Sequence, residues 1–383
     1  MKKIFYWSPH LSNVATIKNV INSAKSIKIF NKKDQDISII DTIGEWENQK
    51  KALKAYKINL IKLSNYTLSK YLPVTGYFKS RIFFIYIILA KFFPLRKILK
   101  KEKPEYLIMH LVTSLPLIIL LFSKTSTKFI LRISGLPRLG FFRKILWKKV
   151  SNRLFLITCP SDQTKSDMIK LNIFPKDKLE VLYDPILEVN SISKNLKQNT
   201  SNSFKNKKYF LNIGRLTKQK NQILLINAFS EIFKKYNHLN LLIVGDGEEK
   251  NNLLKQIKLN KIENNVHLLG HIDNVYPLIK NSLATISTSL WEDPGAVMIE
   301  SSYCKKLSIV SDCPNGPAEF LSFGKGGYLF KNNNVDDLIN KIYSFLNDDE
   351  KIKKKKILLS KKNSKNYTIF NHYKKINQLL RLG

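Results

Sequence analysis

Two glutamates, Glu292 and Glu300, stand eight residues apart in the stretch LWEDPGAVMIESSYC, with Pro294 and Gly295 between them. Proline suits the first turn of a helix and glycine lets backbone approach a ligand, so the spacing predicts a loop ending at Pro294 and a helix over Ala296 to Cys304. The amides of Gly295, Ala296 and Val297 and the positive end of that helix then form an anion site beside Glu292. Glu300, one turn further in, has the reach to take a pair of sugar hydroxyls. An ordinary loop followed by a solvated helix face accommodates the same two residues. A second constellation, Gly214-Arg215 followed by Lys220 in NIGRLTKQKN, offers a planar guanidinium fork and a second point charge, a combination suited to a diphosphate. His110 and His271 each follow an apolar run, where a histidine is either structural or an acid-base group.

These residues fall at the ends of strand-like segments. Lys3 to Trp7, Ile37 to Ile40, Tyr106 to Met109, Phe129 to Ile133, Leu154 to Thr158 and Leu179 to Leu182 alternate with helical patterns in the first half. Tyr209 to Ile213, Leu241 to Val244, Val266 to Leu269, Ala284 to Ser287 and Leu307 to Val310 repeat the scheme in the second. Strands alternating with helices argue for α/β architecture, two doubly wound parallel sheets with ligands outside the carboxyl ends of the strands. The expected division is residues 1–190, a Ser/Asn/Lys-rich linker over 191–208, and residues 209–365. A final helix at 366–383 has its apolar residues at helical spacing and is free to pack back on the first domain.

The chain has 383 residues, 44% of them hydrophobic, enough for two cores and incompatible with compositional disorder. Its net charge of +36 points to nucleic acid, an anionic membrane surface or anionic substrates, although frequent Lys, Asn and Ile also suit AT-rich codon usage. Cys159, Cys304 and Cys313 form no CxxC pair, and the six histidines form no HExxH, so neither a disulfide scaffold nor a zinc site is expected. Asp34-Gln35-Asp36 reads as a solvated turn rather than a metal-binding DxD, and Lys353 to Lys356 as a solvated helix face. Gly245-Asp246-Gly247 lacks the third glycine of a dinucleotide fingerprint and reads as a tight turn opening a helix. No signal peptide is expected, and neither Ile82 to Ala90 nor Leu107 to Phe122 suits a transmembrane span. The first, flanked by Lys79, Arg81, Lys91, Arg96 and Lys97, fits a helix in a membrane interface or a core helix with basic ends.

Taken in order and spacing, NIGRLTKQKN, LLIVGDGEEKNNL, HLLGHIDN and the E-x7-E stretch resemble the nucleotide-sugar-dependent retaining glycosyltransferases of family 4, which have the GT-B fold. The match spans the second half; SPHLSN, the His110 loop, RISGLPRL and TCPSDQTK resemble the corresponding loops of the first. SLWEDPG with SDCPNGPAEFL looks most like members that build bacterial surface polysaccharide or lipopolysaccharide. The resemblance implies two Rossmann-like domains facing a cleft, with the acceptor on the first and the nucleotide sugar on the second. It implies that Arg215 and Lys220 hold the donor diphosphate, that Glu300 binds ribose hydroxyls, and that Glu292 and the amides of Gly295, Ala296 and Val297 face the transferred sugar. His110 would contact that sugar from the first domain. It further implies a metal-independent hexosyltransferase without cofactor, using a glycan or lipid-linked acceptor. From the lack of a signal peptide and the basic first domain, a cytoplasmic protein peripheral on the inner face of the membrane is expected. EDPG stands where the family commonly has EGFG, and Asn13-Val14-Ala15-Thr16 where it often has a glycine-rich loop, which leaves the sugar and the acceptor geometry open. The rival expectation is a non-enzymatic nucleic-acid-binding protein using the +36 charge, against which stands the lack of any recognisable reader motif.

Overall fold

The computed structural model describes residues 1–10, 15–64, 77–135, 137, 139–198, 204, 207–292 and 294–382. Leu11 to Val14 of the expected first loop, Leu136 and Arg138 of RISGLPRL, residues 199–203 of the expected linker and Asp293 of EDPG lie outside the described residues.

In chain order the first part runs β1 (Lys3–Trp7), α1 (Ala15–Phe30), β2 (Asp36–Asp41), α2 (Lys50–Ala55), β3 (Asn59–Lys62), α3 (Tyr77–Glu102), β4 (Tyr106–Met109), α4 (Ser114–Phe122) and β5 (Lys128–Arg132). It continues through α5 (Phe141–Val150), β6 (Leu156–Cys159), α6 (Asp162–Lys170) and β7 (Leu179–Val181). The second part holds α7 (Val189–Lys197), β8 (Tyr209–Ile213), α8 (Gln222–Lys235), β9 (Asn240–Val244), α9 (Lys250–Leu259), β10 (Val266–Leu268), α10 (Tyr276–Asn281), β11 (Thr285–Ser287) and α11 (Ala296–Tyr303). Then come β12 (Ser308–Asp312), α12 (Pro317–Phe320), β13 (Tyr328–Lys331), α13 (Val335–Asn347), α14 (Glu350–Ser364) and α15 (Ile369–Leu380). Two compact units result: Met1–Pro185 with Ile369–Gly383, and Ile186–Thr368.

In the first unit the strands order β3-β2-β1-β4-β5-β6-β7, every pair parallel. Near-continuous apolar runs such as KIFYW and YLIM are what a sheet covered on both faces requires. Side chains alternate between the faces: Phe5, Trp7, Leu107 and Met109 join one core with Ile87, Leu115 and Trp147 of α3, α4 and α5. Ile4, Tyr6, Tyr106 and Ile108 join the other with Val20 of α1 and with Ile376 and Leu380 of α15. The second unit has six parallel strands in the order β10-β9-β8-β11-β12-β13. Each sheet therefore reverses direction beside its first strand, between β1 and β4 and between β8 and β11, the position where open α/β sheets leave a crevice for ligands.

Several expectations differ from the structure. The edge strands β3 and β13 have no counterpart in the sequence reading, and residues 191–197 of the expected linker lie in α7. Val189, Ile192 and Leu196 stand at helical spacing in this otherwise polar stretch, and Ile192 is its buried residue. Gln35 is buried rather than solvated, its Oε1 accepting from the Lys2 amide at 2.8 Å. Within the lysine run, Lys356 donates to the carbonyls of Gly324 and Gly327, and Lys353 lies over the Phe345 ring, because their aliphatic stems cover apolar surface. Helix α3 packs one side into the core, with Ile87, Leu95 and Leu99 buried, and leaves Ile85, Leu89 and Phe93 exposed. No helix among the described residues is long and apolar enough to cross a membrane.

Candidate active site

At the switch point of the second unit the strand-end turns are laced together by backbone. The Gly214 amide donates to Val244 O, Leu216 N to Asp246 O, Glu249 N to Leu216 O and Gly245 N to Gly270 O, at 2.8–3.0 Å. Gly245 has φ +139°, and a Cβ there would stand 1.9 Å from the Gly214 carbonyl oxygen. The GDG segment is thus a tight turn before α9 that buttresses the turn carrying Arg215, whose side chain is exposed. Gly214 lacks a side chain where the stem of Lys220 passes, the stem carbons lying 3.6 Å from the position a Cβ would take.

Lys220 and Glu292 meet directly: Nζ donates to Oε1 at 2.7 Å, with side chains 21% and 13% exposed. Ser289 Oγ donates to the same carboxylate oxygen at 2.6 Å. Their loops are stitched together, Leu290 N to Gln219 O at 2.8 Å and Thr288 Oγ1 to Lys220 O at 3.0 Å. The segment after β12 supports them from the other side. Glu292 N donates to Pro314 O at 3.3 Å, and Gly316 approaches Pro294 so closely that a Cβ would lie 2.9 Å from the proline ring. Gly295, at φ +95°, turns the chain into α11, one residue shorter than expected. The first-turn amides have no acceptor within the helix, and with its dipole they make the N-terminus positive next to Glu292. Glu300 is buried on that helix and accepts from Tyr276 OH at 3.1 Å. Burial, reinforced by the Glu300 charge, holds the Tyr276 phenol far above its ordinary range, so it remains a neutral donor.

The arrangement gathers an ammonium, a helix N-terminus and two held carboxylates at one sheet edge, with a guanidinium on the adjoining turn. Such a set of groups can bind an anion and orient hydroxyls. Ser289 and Tyr276 escaped the sequence reading. A serine three residues before Glu292 in a strand-end loop is a usable signal; a tyrosine 24 residues before Glu300 is not. The cysteines near the site are thiols: burial, then Glu292, pushes Cys313 up to about 12, and burial, then Glu300, pushes Cys304 up to about 11.

In the first unit His110 follows β4 at that sheet's own switch point, its amide donating to Trp7 O at 2.9 Å and its ring stacked on Tyr6. Its Nε2 is buried and has no hydrogen-bond partner among the described residues. Burial, then Arg132 and His372, pushes its pKa well down, leaving a neutral imidazole. Beneath it Arg132 binds Asp184 and the Leu182 carbonyl, and His372 of α15 bonds Tyr183 O at 2.7 Å and Ser23 Oγ at 2.8 Å. His271 is exposed and faces Asp273 at 3.2 Å, a surface pair.

Two parallel-sheet Rossmann-like units with these strand orders define a protein of the GT-B fold. An Anabaena structure solved in complex with UDP-glucose superposes with a TM-score of 0.73 over 100% of both chains at 16% identity. Residues 193–361 match the family described as glycosyl transferases group 1. An uncharacterized glycosyltransferase of Methanocaldococcus jannaschii is 31% identical over 269 residues, 63% of this chain and 64% of that protein. A GalNAc-alpha-(1->4)-GalNAc-alpha-(1->3)-diNAcBac-PP-undecaprenol alpha-1,4-N-acetyl-D-galactosaminyltransferase of Campylobacter jejuni is 27% identical over 327 residues, 82% and 88% of the two chains. The chain spans 64%, 31%, 52% and 25% of the length of four of the curated relatives it matches.

Proposed function

We propose that this glycosyltransferase moves a hexose-type sugar, with retention and without a metal, from a nucleoside diphosphate to a glycan or lipid-linked acceptor in surface polysaccharide synthesis. The observation that carries the reading is the Lys220–Glu292 pair set against the N-terminus of α11 at the switch point of the second sheet. Breaking a glycosyl–phosphate bond develops negative charge on the leaving diphosphate and positive charge on the ring. Lys220, Arg215 and the amides of Gly295, Ala296 and Val297 stabilise the first, which is the work a metal would otherwise do. Glu292 stabilises the second, and Glu300, oriented by Tyr276, takes the ribose hydroxyls. His110, as a neutral imidazole, keeps the role the resemblance assigns, contact with the transferred sugar. Attack on the same face as the leaving group, with the departing phosphate taking the acceptor proton, accounts for retention without a nucleophilic carboxylate. UDP-glucose in the Anabaena structure and the undecaprenol-linked acceptor named for the Campylobacter relative support the substrate classes.

A screen of nucleotide sugars for hydrolysis and for transfer to lipid-linked acceptors tests the reading. One donor turned over, with the product anomer matching the donor, is expected; inertness toward every nucleotide sugar contradicts it. We also propose a peripheral position on an anionic, cytoplasmic membrane face, supported by the +36 charge and the exposed apolar residues of α3. Pelleting with anionic vesicles should fade as salt rises, and salt-independent or absent pelleting contradicts that position.

A further inference from the structure

Glu292 is held by two different donors on one oxygen. Lys220 Nζ lies 2.7 Å and Ser289 Oγ 2.6 Å from Oε1, while Oε2 has no hydrogen-bond partner among the described residues. An ionised carboxylate, the form that pairs with an ammonium, only accepts, so the single proton of the Ser289 hydroxyl goes to it. Ser289 therefore accepts from Ser287 across their 3.2 Å contact, and the bonds run one way, from Ser287 to Ser289 to Glu292. Ser287 ends β11, which pairs with β8 on one side and with β12 on the other. A side chain inside the sheet thus backs a carboxylate on the loop.

The main chain around Ser289 is fixed by other groups. Thr288 Oγ1 donates to the carbonyls of Lys220 and Asn221 at 3.0 and 2.9 Å, Leu290 N to Gln219 O at 2.8 Å, and Asn332 Nδ2 to Leu290 O at 3.1 Å. The Ser289 hydroxyl is left with the carboxylate alone. A glutamate carboxylate turns easily about its last bond, and two donors on one oxygen fix that turn and with it the direction of Oε2. The two donors differ in freedom. The Lys220 side chain is 21% exposed, and its three N–H groups are divided between Glu292 and phosphate oxygens once a diphosphate arrives. Ser289 is 1% exposed and has no second acceptor to turn to.

We propose that Ser289 is a positioning residue for the reaction: it keeps Oε1 of Glu292 occupied while Lys220 turns toward the diphosphate, so that Oε2 alone is presented to the sugar ring as positive charge develops there. Ser287 supports it from the sheet. The proposal rests on the reading of the chain as a nucleotide-sugar-dependent transferase, and adds how one oxygen of Glu292 is selected and held.

The test is steady-state turnover of a panel of UDP-, GDP- and ADP-sugars, with calorimetric binding of the matching nucleoside diphosphate, by the parent, Ser289→Ala, Glu292→Gln and the double variant. Ser289→Ala should lower kcat roughly tenfold or more, the loss of one hydrogen bond to a charged group, and leave nucleoside diphosphate affinity unchanged. Added to Glu292→Gln it should lower kcat no further, because it acts through that carboxylate. Ser287→Ala, at a half-buried position, should give a smaller loss of the same kind. Ser289→Cys, similar in size with a weak S–H donor, should show the loss of kcat if alanine at this buried position disturbs the fold. Parental kcat in Ser289→Ala or Ser289→Cys overturns the proposal. So does a loss that multiplies with that of Glu292→Gln, or one that appears in nucleotide affinity instead of kcat. A parent inert toward the whole panel removes the transferase reading and this role with it; an active parent unaffected by the Ser289 variants removes the role of Ser289 alone.

Discussion

Lys220 is bonded to Glu292, and an ammonium with three N–H donors can keep that bond while reaching phosphate oxygens. The pair is mostly shielded from water, so removing the cation leaves a carboxylate that still needs a donor. Lys220→Ala should destabilise the chain by about 1–3 kcal/mol, and adding Glu292→Gln should recover part of the loss. Urea denaturation of the two variants measures it; additive losses would show that the contact has no energetic weight. A second carboxylate pair lies at the end of β2. Glu45 accepts from Thr42 and Ile43, and Asp41 from Gly44, while Asp41 Oδ2 has no partner unless Glu45 carries a proton. Burial, and then Asp41, pushes Glu45 up to about 8; His10, Lys62 and Lys91 also interact with the pair. The folded chain therefore holds a proton that the unfolded chain releases near 4.5, so stability falls as pH rises from about 4.5 to about 8. Glu45→Gln should flatten that slope in denaturation curves at pH 5 and pH 8, and an unchanged slope would place its source elsewhere.

Glycines at strand ends connect the elements to the site. Gly245 lets the turn after β9 touch the turn after β8, so Gly245→Ala must move the backbone that carries Arg215 and also strain its own φ of +139°. A loss of about 1–3 kcal/mol in denaturation, together with weaker donor binding, is expected; a variant as stable as the parent would contradict the close approach. The central strands were legible because β1, β4, β8 and β9 are buried apolar runs ending in polar or glycine turns. Edge strands β3 and β13 were not, unlike the edge strands β7 and β10, since β3 has no buried residue and a polar residue at each end, Asn59 and Lys62, and β13 is four residues ending in the exposed Lys331. The stretch from Asp312 to Glu319 carried no readable chemical task. Its task is packing: Pro314 and Gly316 hold the Glu292 loop, a contact between strands that local sequence cannot announce. Arg215, Lys220, Glu292 and Glu300 could be singled out as candidates for the opposite reason, since each is a charged residue in a strand-end turn or in the short helix that follows one.

At the scale of the whole chain, both sheets reverse beside their first strand, and in the second unit that reversal brings together residues 72 apart, Lys220 and Glu292, that no local pattern joins. The chain leaves the first unit after Pro185 and returns to it at Ile369, where His372 of α15 bonds α1 and the segment after β7. The +36 charge is spread over the whole sequence and does not by itself select a substrate; on the proposed reading the paired side chains at the switch point do. Calorimetric titration of the intact protein with nucleoside diphosphates tests that claim most directly. One nucleoside diphosphate should bind, and Lys220→Ala and Glu300→Ala should each weaken it by roughly tenfold or more, the loss of a charge-assisted hydrogen bond. Unchanged affinity in both variants, or no nucleotide binding alongside tight, salt-sensitive binding of DNA or RNA, would contradict it.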